Sequence, residues 1–244
     1  MHQEYIRIVP GADTAILMVH GIVGTPRHFD FLIDSIPEDV SVVNILLPGH
    51  GGTVQDFGKA SMAQWKEKVK NEISALCSTH RRILLIGHSM GTLLTSEVAE
   101  CYPNIKGLLL INVPLRVQVA PRMVSASLRC SFGKGNPDRP ADWGVMHAGV
   151  QLSKRFWLYF SWIPRFWELL VLCRQSRRRF ETLSLPVYTF QSYDDELVRR
   201  STSRHLLKNP TIRHIMLKGC GHFLYPPEAQ EQMKNALKDL LSST

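Results

Sequence analysis

The distribution of apolar residues along the chain separates two regular flanks from an irregular middle segment. In the first 112 residues, short apolar runs alternate with longer stretches in which apolar residues recur every three or four positions. The runs predict strands at residues 5–9, 14–19, 40–47, 82–87 and 106–112. Because R-I-L-L-I-G at 82–87 is apolar almost throughout, it is typical of a strand buried on both faces of a parallel sheet.

Helices are predicted between these strands. Ser61 and Gln64 have the spacing of a capping box, and the helix that follows carries one apolar face made of Trp65, Val69, Ile73 and Leu76. A second helix is predicted from the end of the strand at 82–87 to about Cys101. Strands that alternate with helices predict an α/β fold with a mostly parallel central sheet flanked by helices.

The periodicity stops at about residue 115 and returns after residue 180. Four of the five tryptophans lie in this middle segment. Beyond it, strands are predicted at 186–192 and 211–217, a helix near 197–207, and a last helix after Pro226-Pro227. We therefore expect one core built from residues 1–114 and 181–244, with residues 115–180 inserted as a helical cap or lid.

Composition and charge narrow the class of protein. With 244 residues, 44% of them hydrophobic, the chain can bury a large core. The formal net charge is +8, but twelve Lys and Arg stand against three Asp and Glu between Arg116 and Arg179 alone. Because the basic character belongs to one segment, a general nucleic-acid-binding surface is not expected.

The cysteines and the apolar runs of the chain indicate the cellular compartment in which the protein is expected. The five cysteines are an odd number, widely scattered and without a C-x-x-C pair, which favours reduced thiols over disulfides or a zinc site. The first residues lack the basic and apolar regions of a secretory signal, and no apolar run approaches the roughly 20 residues of a membrane span. We expect a cytoplasmic protein.

The candidate nucleophile is Ser89, in the sequence G-H-S-M-G at 87–91. Serine becomes a useful nucleophile when a base takes its proton and the developing oxyanion is stabilised. A sharp turn between a strand and a helix presents the hydroxyl outward and requires small neighbours, which Gly87 and Gly91 supply. The alternative interpretation is a glycine-rich turn without catalysis.

The candidate base and acid come late in the chain. His222 lies in a glycine-containing loop between the last predicted strand and the last helix, although a histidine here can also be an ordinary surface residue. Asp194, Asp195 and Glu196 follow the preceding strand, where a carboxylate would orient the imidazole. The spacing favours Asp195, with Asp194 as an alternative that would cap a helix.

An oxyanion site needs two backbone N–H groups. One is the amide of Met90, directly after the candidate nucleophile, and the other is Ile22, in the glycine-rich loop that follows the strand at 14–19. His20, at the start of that loop, is interpreted as a hydrogen-bonding brace rather than a base.

These motifs together resemble the α/β-hydrolase superfamily. The matching stretches are H-G-I-V-G-T (20–25), L-P-G-H-G-G-T (47–53), G-H-S-M-G (87–91), D-D-E-L-V (194–198) and G-C-G-H-F (219–223). Within that superfamily the chain is similar to small bacterial carboxylesterases and monoacylglycerol lipases, often grouped with serine aminopeptidase-like hydrolases. The resemblance implies Ser89 as nucleophile, Asp195 as acid, His222 as base, Ile22 and Met90 as oxyanion amides, and a structural role for His50. Residues 115–180 correspond to the family's variable cap.

The predicted function is hydrolysis of carboxylic esters with short or medium acyl chains, including monoacylglycerols, without a metal or cofactor. The aromatic stretch 156–172 is interpreted as packing the cap and lining a pocket, and it also suits transient contact with an anionic lipid surface. Arg174, Arg177, Arg178 and Arg179 form either a solvated face or a contact for an anionic substrate group. The alternatives are an acyl thioesterase or acyltransferase with the same triad, and a ligand-binding sensor on the same fold.

Overall fold

The computed structural model describes residues 2–243, and within them seven strands form one sheet. In chain order they are β1 (Tyr5–Arg7), β2 (Thr14–Val19), β3 (Ser41–Ile45), β4 (Arg82–His88), β5 (Ile105–Ile111), β6 (Val187–Ser192) and β7 (Ile212–Leu217). Their order across the sheet is β1-β3-β2-β4-β5-β6-β7. β1 pairs antiparallel with β3, and the other neighbours are parallel.

Helices cover both faces of this sheet. In chain order they are α1 (Asp30–Ile33), α2 (Val54–Lys59), α3 (Met62–Cys77), α4 (Met90–Val98), α5 (Pro121–Ser131), α6 (Pro140–Met146), α7 (Ile163–Thr182), α8 (Ser203–Leu206) and α9 (Pro227–Ser242). Side chains of α3, α4 and α7 pack in one apolar cluster and those of α1 and α9 in another. The predicted α/β architecture is confirmed.

The two clusters lie on opposite faces of the sheet because successive side chains of a strand point to opposite sides. Ala15, Leu17 and Val19 of β2 belong to the cluster with α3 and α4, whereas Ile16 and Met18 belong to the cluster with α9. All seven residues of β4 are buried. The near-continuous apolar run of this strand is therefore the consequence of burial on both faces.

The predicted start of α3 is correct, but the capping box is half formed. The Ser61 hydroxyl accepts a hydrogen bond from the backbone N–H of Gln64 at 3.3 Å. The Gln64 side chain accepts a hydrogen bond from that hydroxyl rather than from the Ser61 backbone. A complete box begins α2 instead, where Thr53 and Asp56 each accept a hydrogen bond from the other's backbone N–H.

The middle segment contains two differently packed parts. α5 and α6 pack on each other around a small cluster of Met123, Ala126 and Ala141. α7 instead packs on α4, and its inner side chains belong to the main core. Pro164 falls in the first turn of α7, where its missing N–H leaves no helical hydrogen bond unmade.

The helix expected near 197–207 is shorter than predicted. It consists of a 3-10 turn at Arg200–Thr202 followed by α8. Leu197 and Val198 are not helical because this stretch pairs with residues 116–120, including an antiparallel bridge between Val117 and Val198. Pairing with a distant segment is invisible to local periodicity, which explains the error.

None of the helices in residues 2–243 is long and apolar enough to cross a membrane.

Candidate active site

Ser89 occupies a sharp turn between β4 and α4. Its φ of 50° and ψ of −122° are rare for a residue with a side chain, and such strain persists only when the surroundings enforce it. A Cβ on Gly87 would lie 2.7 Å from the backbone of Thr92, and one on Gly91 would overlap the carbonyl oxygen of Val19. The two glycines therefore make the turn possible, for the reason the sequence pattern suggests.

His222 and Asp195 lie together at the carboxyl edge of the sheet, and both are buried. The His222 Nδ1 atom is 2.8 Å from Asp195 Oδ2 and 2.9 Å from Oδ1. A carboxylate only accepts hydrogen bonds, so Nδ1 is the donor in this contact, and Nε2 makes no hydrogen bond to any residue that the structure describes. Asp195 Oδ1 also accepts from the N–H groups of Leu197 and Val198, each at 2.7 Å, which fixes the carboxylate.

Asp194 does not take part in this contact. Its side chain is exposed and lies 3.4 Å from the guanidinium of Arg200. Of the two aspartates that follow β6, only Asp195 meets the imidazole.

The backbone carbonyl of His222 is held by three donors. They are His88 Nε2 at 2.9 Å, Asn112 Nδ2 at 2.9 Å and the Tyr225 hydroxyl at 2.8 Å. Burial raises the pKa of Tyr225 well above its ordinary value, so this hydroxyl remains a donor. The sequence motifs alone assign no role to these residues. His88 and Asn112 could have been noticed because each stands where a central strand ends.

No hydrogen bond joins the Ser89 hydroxyl to His222 within residues 2–243. The two residues are connected through His88, whose backbone continues into Ser89 and whose ring lies 4.9 Å from the His222 ring. In structures without substrate, hydrogen bonds between a nucleophile and its base are often long or absent and form when substrate binds.

The loop after β2 approaches Ser89 closely. A Cβ on Gly21 would lie 2.8 Å from the Cβ of Ser89, so the amide of Ile22 follows directly on this contact. Across the described part of the chain, the N–H groups of Ile22 and Met90 donate to no acceptor. Two free N–H groups beside a serine are what an oxyanion requires.

Two buried histidines hold this loop in place. His20 donates from Nδ1 to Gly21 O at 2.8 Å and accepts at Nε2 from Leu47 N–H at 3.1 Å. His50 accepts at Nε2 from Val23 N–H at 3.1 Å. Burial lowers the pKa of His20 well below its usual value and that of His50 to about 4. Both rings are therefore neutral braces, as predicted for His20.

An apolar cavity of about 680 Å³ opens beside the site. Ile22 lies on its wall at one side and Phe223, the residue after His222, at another. Side chains of the middle segment form most of the remainder, among them Met123, Phe132, Phe156, Tyr159, Trp162 and Phe166. A cavity of this size and character accepts an apolar ligand of moderate length.

A second, smaller cavity of about 350 Å³ shares Phe223 with the first. Its wall includes His28, Trp143 and His147. Burial, with a smaller contribution from the neighbouring His222, lowers the pKa of His28 to about 3. His28 is therefore uncharged at neutral pH. Between residues 2 and 243, no three His, Cys, Asp or Glu side chains come together as a metal site.

Comparison with known proteins finds one matching family and relatives that hydrolyse lipids. A family model described as "Alpha/beta hydrolase family" matches residues 16–234. The thermostable monoacylglycerol lipase of Bacillus sp. (strain H-257) is 30% identical over 103 residues, which is 42% of this chain and 41% of that protein. The aligned segment thus spans about two fifths of the curated relative.

Solved structures resemble the chain over nearly its whole length. One, from work on the metagenome-derived lipolytic enzymes LipS and LipT, has a TM-score of 0.74 at 18% identity and covers 98% of this chain and 97% of its own. The monoacylglycerol lipase of Paleococcus ferrophilus has a TM-score of 0.66 at 19% identity, with complete coverage of both chains. At such identities the likeness establishes the fold.

Proposed function

Because the chain belongs to the alpha/beta hydrolase family, we propose that it is a serine esterase that hydrolyses carboxylic esters through an acyl-enzyme. Ser89 is the nucleophile, His222 the base and Asp195 the acid. The observation that carries the proposal is the buried contact of 2.8 Å between His222 Nδ1 and Asp195 Oδ2. It leaves His222 Nε2 as a proton acceptor, and the strained turn of Ser89 lies one residue from the His88 ring that supports His222.

The reaction follows from these positions. Ser89 Oγ attacks the ester carbonyl carbon while His222 Nε2 takes its proton, and the Ile22 and Met90 amides stabilise the resulting oxyanion. His222 then protonates the leaving alcohol, which departs and leaves the acyl group on Ser89. Water, deprotonated by His222, attacks this ester and releases the carboxylic acid.

We propose that the substrates carry short or medium acyl chains and include monoacylglycerols. The acyl chain occupies the cavity of about 680 Å³, whose wall is mostly apolar. In this proposal residues 115–180 are the cap over that cavity, and residues 1–114 and 181–244 are the catalytic core. Support comes from the curated relative, which is named as a monoacylglycerol lipase.

We further propose that the cap contacts an anionic lipid surface from which the substrate is drawn. The exposed face of α7 changes character along the helix: it carries Trp167, Leu170 and Val171 in its first half and Arg174 and Arg178 in its second. Aromatic and aliphatic side chains beside arginines suit the boundary of an anionic membrane. Phe156 and Phe166 are both exposed and on the cavity wall, so this apolar surface continues into the acyl site.

The exposed arginines also favour a second candidate function, an acyl thioesterase or acyltransferase. Arg174 and Arg178 are available to the phosphates of an acyl-CoA. The triad and the oxyanion amides would be unchanged, and only the leaving group or acceptor would differ.

The five cysteines are free thiols. Unpaired, scattered thiols support our proposal of a reducing, cytoplasmic location.

The proposed function is tested with nitrophenyl esters of increasing acyl length, monoacylglycerols and acyl-CoAs, using wild type and Ser89→Ala. We expect ester turnover by the wild type and a loss of about a thousandfold or more in Ser89→Ala. Equal rates in the two proteins would overturn the assignment of the nucleophile. A higher kcat/KM for acyl-CoAs than for oxygen esters would favour the thioesterase.

A further inference from the structure

A second buried carboxylate lies beside the proposed acid. Glu196 follows Asp195 in the turn after β6, and only 2% of its surface is exposed. Its Oε2 atom accepts a hydrogen bond from the backbone N–H of His222 at 2.7 Å, and its Oε1 atom accepts one from Arg122 Nε at 3.2 Å. One carboxylate thus joins the main chain of the proposed base to a side chain of α5.

The loop sequence allows this contact. A Cβ on Gly221 would lie 3.0 and 3.1 Å from the two Glu196 oxygens and 2.7 Å from the Cβ of Pro140 at the start of α6. Any larger residue would push the carboxylate or α6 away. The glycine before His222 therefore lets Glu196 reach the His222 amide.

The chain leading into the cap is bonded to the same turn. Gln118 N–H donates to Leu197 O and Ala120 N–H to Glu196 O, each at 2.8 Å. Arg122 adds a further bond to this turn, because its guanidinium also donates to the backbone carbonyl of Asp194. The turn that carries Asp195 and Glu196 and the beginning of the cap thus form one hydrogen-bonded unit.

We propose that Glu196 is a positioning residue that fixes the main chain of His222, and that Arg122 transmits the position of the cap to it. The inference rests on the proposed function. A carboxylate that accepts an N–H forms a shorter and stronger hydrogen bond than a neutral acceptor. With the His222 carbonyl held by three donors on the other side, the imidazole is located through its backbone as well as through Asp195.

A buried carboxylate is costly unless it is paired, and Arg122 supplies the pairing. Arg122 belongs to α5 and its side chain is half exposed. Its distance from Glu196 therefore depends on the position of α5. A displacement of α5 would withdraw this partner and loosen the hold of Glu196 on His222.

The inference is tested with Glu196→Ala, Glu196→Gln, Arg122→Ala and Arg122→Lys, with Arg200→Ala as the control. Arg200 bonds to the same turn, at Tyr193 O and Asp194, and among the described residues it makes no hydrogen bond to Glu196 or His222. We expect Glu196→Ala to lower kcat about ten- to a hundredfold with KM changed less than threefold, because a small misplacement of the base slows proton transfer. Glu196→Gln retains an acceptor for His222 N–H and should restore most of kcat.

We expect Arg122→Ala to lower kcat severalfold, Arg122→Lys to restore part of it, and Arg200→Ala to match the wild type. A Glu196→Ala enzyme with wild-type kcat, or a Glu196→Gln enzyme no better than Glu196→Ala, would overturn the inference. The ¹H chemical shift of the His222 amide gives a readout independent of turnover: it should lie downfield in wild type and Ser89→Ala and move upfield in Glu196→Ala. An unchanged shift would also overturn the inference, whereas a wild type without ester turnover would instead remove the proposed function.

Discussion

Gly91 and Val19 meet so closely that a β-carbon at position 91 would overlap the Val19 carbonyl oxygen. This contact presses the start of α4 against the end of β2, and thereby brings the loop of Ile22 next to Ser89.

The first prediction concerns this contact. Gly91→Ala should lower the free energy of unfolding by more than about 3 kcal/mol, because backbone on both sides would have to move. Denaturant unfolding measures the change. Gly11→Ala is the matched control: Gly11 has a φ of +77° but open space around it, so only the backbone strain of about 1 kcal/mol applies. Similar losses in the two variants would contradict the steric explanation.

The second prediction separates the two aspartates after β6. Asp195→Asn should lower kcat for ester hydrolysis by about a thousandfold or more, since an amide can no longer hold the His222 Nδ1 proton as a carboxylate does. Asp194→Asn should stay within about threefold, because Asp194 faces solvent and Arg200. Both are measured with a nitrophenyl ester. A larger loss in Asp194→Asn than in Asp195→Asn would transfer the role of acid to Asp194.

The third prediction concerns the outer face of α7. Replacing Arg174 and Arg178 by Glu should weaken binding to vesicles that contain anionic lipid by about tenfold or more, and higher salt should weaken the wild-type interaction. Lys70→Glu with Lys238→Glu changes the net charge equally on exposed residues of α3 and α9 and should have little effect. Vesicle sedimentation measures both pairs. If the control pair lost as much affinity, overall charge rather than α7 would explain the binding.

The fourth prediction concerns pH and follows from His28. Its pKa is about 3 in the folded protein against an ordinary value of 6.5, so the unfolded chain holds the extra proton between these values. The contribution of the neutral His28 ring to the free energy of unfolding is therefore fully present above about pH 6.5 and is lost as the pH falls toward 3.

His28→Leu should reduce the slope of unfolding free energy against pH near pH 5 by about one proton, or roughly 1.4 kcal/mol per pH unit. Denaturant titrations of wild type and variant at several pH values measure it. An unchanged slope would show that the folded state admits a proton on His28 more easily than its burial implies.

The parts of the fold that the sequence predicted were those governed by local rules. β4 is a continuous apolar run because helices cover both of its faces, and the turn at Ser89 is visible because its crowding demands glycine two places away on either side. Asp195 and His222 lie in the loops that follow β6 and β7, and neighbouring parallel strands end at one edge of the sheet.

What the sequence could not predict depends on partners far away in the chain. Glu196 looks like a third acidic residue of a solvated turn, and only the fold brings its carboxylate to the amide of His222 and to Arg122. The shortening of α8 has a similar cause, since Val198 pairs with Val117 rather than joining the helix. The apolar first half of α7 suggests a helix of the inserted segment. In the structure, however, Cys173 and Phe180 of the same helix pack in the main core.

The pairing between residues 116–120 and the turn after β6 restricts where the middle segment can be replaced by one from another protein. A middle segment taken from another member of the family and joined at residue 115 would replace Gln118, Ala120 and Arg122, which bond to the turn carrying Asp195 and Glu196. The same graft joined after Arg122 would retain those bonds. The segment after Arg122 can therefore be exchanged without loss of these bonds only when the junction lies inside α5.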